Sequence, residues 1–295
     1  MSERQITLAN AAQTPISFSR RAINKLVTFA AAGAVVMVLL PLGAIFAYLV
    51  YKGIGSINWA FLTQTPKPVG EAGGGMANAI VGTLILIGLA SLVAIPVGLV
   101  SGIYLSEYPK SRLATAVRFT ADVLNGIPSI VIGIFAYARV VLPVKHFSAL
   151  AGGVALGFMM IPIITRTAEE LLNLVPQTLR EGALALGATR SRAAFTVMLP
   201  AALPGIMTGI LVSLARIACE TAQLLFSSFS NRFWSTTLTQ PIASLTVQVY
   251  TYAISPYDDW HRQAWAGALV LVSLIFLFSV LARVVTKRLE RMHRT

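Results

Sequence analysis

Residues 165–206 read TRTAEELLNLVPQTLREGALALGATRSRAAFTVMLPAALPGI, and the reading of this stretch decides the fold. Its centre is amphipathic and too polar to cross lipid, yet apolar runs flank it on both sides. Pro176 cannot continue a helix begun upstream, so the pattern predicts a short helix closing near Val175. A second helix should run from about 177 to 186 and stop at Gly187, a suitable left-handed cap. Gly182, Ala183, Ala185 and Gly187 give it a low-relief surface that another protein could fit against. A solvated hairpin is the plainer alternative. On either reading 165–198 connects two spans.

The rest of the chain supplies the spans. It has 295 residues, 56% hydrophobic and 12% charged, against roughly 25% charged in an ordinary soluble domain. Crossing the hydrocarbon core takes about 20 apolar residues as a helix. Six runs meet or approach that length: 27–51, 77–105, 119–142, 147–164, 199–226 and 264–285. They lack the period-two alternation of barrel strands. The expected fold is therefore an all-α polytopic membrane protein with six transmembrane helices. The first run is longer than the apolar region of a signal peptide and follows a polar lead, so it should stay in the mature chain. The divisions are a tail over 1–26, a first transmembrane helix over 27–51, an outer loop over 52–76 with a flexible Gly73-Gly74-Gly75 lead, a core over 77–286 and a basic tail over 287–295.

Net charge is +12. No basic patch or reader motif accompanies it, which disfavours nucleic acid. The basic residues instead collect on alternate sides of the spans. One side holds Arg4, Arg20, Arg21 and Lys25, then Lys110, Arg112 and Arg118, then Arg166, Arg180, Arg190 and Arg192, and finally Arg283, Lys287, Arg288, Arg291 and Arg294. The other holds only Lys52, Lys67, Arg139, Lys145, Arg232 and Arg262, together with all four tryptophans. By the positive-inside rule both termini are cytoplasmic, and the tryptophans sit at the outer interface. Cys219 is alone, so no internal disulfide forms. His146, His261 and His293 have no ligand spacing, and no metal site is expected.

Gly98 and Gly102, Gly153 and Gly157, and Gly205 and Gly209 recur four apart, the spacing that lets helices approach closely in lipid. Arg216 and Glu220 lie mid-span and four apart, which on a continuous helix is one face. A charge at a helix centre costs about 2.5–3.5 kcal/mol on insertion scales. The two residues can neutralise each other, or the arginine fork can serve a phosphate-like anion. Arg166 reads as an interfacial anchor or a second pathway cation, and Asp122 as a helix cap. No G-x-x-x-x-G-K-[ST] phosphate loop appears, and no catalytic constellation that would make an enzyme.

Glu181-Gly182-Ala183, Gly187 four residues on and Leu199-Pro200 twelve further resemble the EAA loop of ABC importer permeases. Further stretches resemble the PstA family of phosphate-specific permease subunits: GGGMANAIVGTLIL from Gly73, AIPVGLVSGIYLSEY from Ala94, DVLNGIPSIVIGIFAY from Asp122, PIITRTAEELL from Pro162 and ARIACETAQLLF from Ala215. Cys219 and Gln223 depart from that pattern, where relatives carry glycine and proline. The resemblance implies a type I ABC importer permease with the MetI-like fold, in a bacterial inner membrane. It implies that phosphate crosses by alternating access past Arg216, Glu220 and Arg166. Glu181, Gly182, Ala183, Gly187, Leu199 and Pro200 would form the loop that couples to a PstB-like ATPase dimer. A PstC-like sister permease and a PstS-like phosphate-binding protein complete the implied assembly. No cofactor is expected on this chain, since ATP and Mg would sit on the ATPase. The alternatives are a permease for another oxyanion such as sulfate or molybdate, or a passive anion channel, which would not need the docking loop.

Overall fold

The computed structural model describes residues 18–69, 71 and 73–292. Residues 1–17 of the expected 1–26 tail, with Arg4, lie outside the described residues, as do His293 and Arg294. Among the described residues the chain is helical and no strand occurs. Five helices among the described residues are long and apolar enough to cross a membrane, and a sixth crossing is available from a bent helix pair.

Helix α1 (Phe18–Gly53) carries Pro41 within it. Its residues through Tyr51 belong to one compact unit, and the chain from Lys52 onward forms a second. In the second unit α2 (Trp59–Thr63) leads to α3 (Ala77–Glu107). The Gly74–Met76 end of the connection is held against α2 by backbone contacts. Gly73 and Gly74 take positive φ, Met76 N–H donates to the Phe61 carbonyl at 2.9 Å, and a Cβ on Gly75 would come within 2.5 Å of the Ala60 carbonyl. Close backbone approach, rather than freedom, is what the glycines supply there.

The next crossing is broken. The run over 119–142 reads as one span, but α4 (Arg112–Gly126) and α5 (Ser129–Val144) meet at a 106° bend. Ile127 is extended ahead of Pro128, as the steric conflict between a proline ring and the preceding residue requires. Helix α6 (Ala149–Asn173) starts at Ser148, whose side chain accepts the Ala151 N–H. It continues through Pro162 instead of closing at 164. The upstream loop helix is thus the last turns of α6, because neighbouring helices can supply what an internal proline removes.

Helix α7 (Gln177–Ala185) is followed by α8 (Arg190–Ala218), α9 (Ala222–Ser227), α10 (Leu245–Ala253) and α11 (Asp258–Met292). Leu199 and Pro200 lie inside α8, past a widened π turn at Ala194–Met198. A second π turn, Tyr137–Val141, stands likewise just ahead of Pro143. A proline lacks an N–H and crowds the preceding turn, and a local widening accommodates both defects.

Packing centres on α3 and α6. A Cβ on Gly98 would stand 2.7 Å from Ile164 Cβ, one on Gly102 2.5 Å from Ala168 Cβ, and one on Gly153 2.7 Å from Leu89 Cβ. Gly205 and Gly209 do the same for α8 against Leu171 and Thr167 of α6. Leu86, Leu156, Met160, Ile164, Ile206 and Ile217 fill the resulting core.

Candidate functional site

Helix α8 runs antiparallel to α6. Gly209 packs on Thr167, Gln223 reaches Met159, and Ser148 N–H bonds the Ser227 carbonyl. This register places Arg216 level with the middle of α6. The helix stops two residues later: Cys219 and Glu220 N–H close onto the Arg216 and Ile217 carbonyls at 3.2 Å, and the chain is non-helical through Thr221. Arg216 and Glu220 therefore do not share a face of one continuous helix. Arg216 is exposed and Glu220 half-buried, and among the described residues neither side chain makes an ion pair or hydrogen bond. The Glu220 carbonyl is held by Thr246 Oγ1 at 2.8 Å. Below it, buried Gln223 donates to Met159 Sδ at 2.9 Å, and its Oε1 has no partner. The result is a helix break with an unpaired guanidinium just before it, and the fork of a guanidinium can take the oxygens of an anion.

At the far end of α8 lies α7. Its start at Gln177 follows Pro176, and its end is a Schellman motif: Gly187 N–H bonds the Leu184 carbonyl at 2.9 Å and Ala188 N–H the Ala183 carbonyl at 3.1 Å. Gly187 has φ +82°, which an L side chain tolerates poorly. No residue of α7 is buried. Glu181 and Gly182 are exposed beside Leu179 and Leu184, and a Cβ on Gly182 would meet nothing within 4 Å. Glu181, Gly182, Ala183 and Gly187 thus belong to one exposed helix and its cap. Leu199 and Pro200 are half-buried inside α8, whose first turns support α7.

Between these regions is an ionic cluster that local sequence reading missed. Glu169 is 4% exposed. Its Oε1 accepts Arg118 Nε at 2.5 Å and its Oε2 accepts Arg166 Nη1 at 2.7 Å. Arg166 also pairs with Asp122 at 3.2 Å. Arg118 donates further to the Leu105 and Pro109 carbonyls at 3.2 and 3.0 Å, which ties α4 to the end of α3. Asp122 is consequently not a cap: it lies inside α4, and Ser111 caps that helix by accepting the Ala114 N–H at 3.0 Å. Arg180 of α7 contacts the Glu107 carboxylate at the last residue of α3. The pairs Arg118–Glu169 and Arg180–Glu107 join positions 51 and 73 residues apart. No short-range pattern carries them; the only signal was acidic residues beside a membrane interface otherwise rich in arginine.

Residues 94–291 match the family described as "Binding-protein-dependent transport system inner membrane component". Over 237 residues, 80% of each chain, the sequence is 48% identical to the phosphate transport system permease protein PstA of Yersinia pestis. The chain belongs to the PstA family. PstA of Pasteurella multocida (strain Pm70) is 42% identical over 90% of this chain and 95% of its own. The probable PstA of Methanocaldococcus jannaschii is 35% identical over 86% and 90%. Among solved structures, a chain of the MetNI methionine ABC transporter in an inward-facing conformation superposes with TM-score 0.56 at 20% identity, covering 73% of this PstA-family chain and 94% of that one. The family resemblance read from the sequence and the MetI-like membrane fold it implied are both borne out.

Proposed function

We propose that the chain is the membrane permease subunit of an ATP-driven importer of inorganic phosphate, set in a bacterial inner membrane with both termini cytoplasmic. The observation that carries this reading is the 48% identity with a phosphate transport permease over four-fifths of both chains. The geometry agrees with it. An unpaired arginine at mid-membrane is costly unless it faces water, a partner or an anion. Arg216 meets that condition if it lines the path and takes phosphate oxygens through its planar fork. Glu220, four residues on, weakens the hold on an anion, and weak binding is what release requires.

Exposed α7 is the surface assigned to a separate ATPase dimer, with Glu181 to Gly187 as its docking residues. Hydrolysis is assigned to that partner because the chain has no phosphate-binding loop. A sister permease would supply the other wall of the path, and a binding protein would deliver phosphate to the tryptophan-bearing side. Arg166 now takes the part of a scaffold cation, since two carboxylates hold it.

Reconstitution of the four components in proteoliposomes tests the assignment. Phosphate uptake should require ATP, and Glu181→Lys should abolish it while the permeases still assemble. Uptake without nucleotide would point to a channel, and sulfate or molybdate uptake in place of phosphate to another oxyanion permease.

A further inference from the structure

The docking helix needs a rigid connection to the spans, and its own packing gives it little. Helix α7 buries no residue and leans on the first turns of α8. Its one ion pair among the described residues is Arg180 to Glu107. That pair is well removed from water, with the Glu107 side chain 8% and Arg180 22% exposed. Glu107 ends α3, and the corner that follows is gripped by Arg118 through the Leu105 and Pro109 carbonyls. Arg118 passes to Glu169 on α6, and Glu169 to Arg166, which returns to Asp122 on α4. At the same level α3 and α6 touch backbone to backbone: a Cβ on Gly102 would lie 2.8 Å from the Thr165 carbonyl and 3.1 Å from Glu169 N.

We propose that Glu107 and Arg180 are positioning residues that fix the docking helix to α3, and that the cluster centred on Glu169 makes this end of α3, α4 and α6 move as one block. The inference deepens the proposed function and rests on it: the residues touch neither the cargo nor the nucleotide, but determine how much of the motor's displacement reaches the spans. Desolvated charge pairs suit this part. Removing one partner strands the other in a poor environment, so the linkage resists partial opening. A loose hydrophobic contact would slide instead.

The test uses the charge swap. In the full four-component complex, Arg180→Glu and Glu107→Arg should each lower phosphate uptake per ATP hydrolysed by about tenfold, within the range of ordinary coupling free energies. The double variant should return to within about threefold of the parent. Unchanged coupling in the single variants, or a loss the swap does not repair, would overturn the proposal. A second measurement does not depend on cargo. Hydrogen exchange of the α7 amides in the full chain in nanodiscs should accelerate in Arg180→Glu and slow again in the swap; equal exchange in all three chains would also overturn it. If the parent complex moves no phosphate, the functional reading fails, while the exchange result still decides the pairing.

Discussion

Two arginine-bearing regions of the same helical bundle obey opposite rules. Near α7, Arg118, Arg166 and Arg180 are each held by a carboxylate from another turn or another helix. At the break after α8, Arg216 is held by nothing among the described residues, although Glu220 is only four positions away. The first region spends its charges on fixing helices to one another. The second keeps a charge available in the place where an unpaired one costs most. A charge neutralised by its own chain fixes helices to one another, whereas Arg216 is left open by the described residues.

The contrast predicts opposite phenotypes. The largest effect should come from Glu169→Ala, which leaves Arg118 and Arg166 short of a counter-charge. Breaking a buried pair costs about 3–5 kcal/mol, and here the lower end applies because the arginine side chains are 27% and 31% exposed. Thermal unfolding in detergent should show the loss, and a stability equal to the parent would erase the distinction between the regions. Arg216→Gln should behave in the reverse way. Its stability should not fall below the parent's, because removing an unpaired charge breaks no contact and relieves an unfavourable placement. Phosphate uptake should fall by one to two orders of magnitude, about the worth of lost charge-assisted hydrogen bonds. A variant that is destabilised but transports normally would make Arg216 a scaffold residue like the others.

Much of this architecture could be read from residue order. Long apolar runs announce spans because lipid offers the backbone no hydrogen bonds. Pro176 and Gly187 bracket α7 with the two residues that end helices most reliably. The breaks were harder to see. Ile127-Pro128 was visible, but apolar residues continue on both sides, so hydropathy joined two helices that meet at 106°. The stop at Cys219 has no glycine or proline to mark it, and helical spacing carried Arg216 and Glu220 onto a face that does not exist. The Glu169 cluster was illegible for another reason: its partners come from different helices, and only the fold brings them together. Of the candidate site, the place and bounds of α7 were therefore legible, while the break after Arg216 and the partners of Glu169 were not.

Packing beside the cluster offers an intermediate test. Gly102 lies between Ala168 and the Thr165 carbonyl, so Gly102→Val must push two backbones apart. Overpacking of this kind costs about 1–3 kcal/mol. The variant should also loosen Glu169, whose amide nitrogen is 3.1 Å from the built Cβ. Combining Gly102→Val with Glu169→Ala should therefore give less than the sum of the two losses, because neighbours that share partners are not additive. Full additivity in unfolding measurements would separate the glycine contact from the ionic cluster.

The smallest effect concerns a polar group that belongs to neither region's rule. Gln223 is fully buried beside the break. Its amide donates to a thioether, a weak acceptor, and its Oε1 finds no donor. A buried acceptor without a partner costs about 1–3 kcal/mol, and replacing polar atoms by apolar ones of similar shape can recover part of that. Gln223→Met keeps the length and flexibility of the side chain while removing the unsatisfied oxygen and the weakly bonded amide nitrogen. It should raise the stability of the isolated chain by about 1 kcal/mol, read as a higher unfolding temperature in detergent. Gln223→Glu should lower it, because a carboxylate at that depth has no counter-charge.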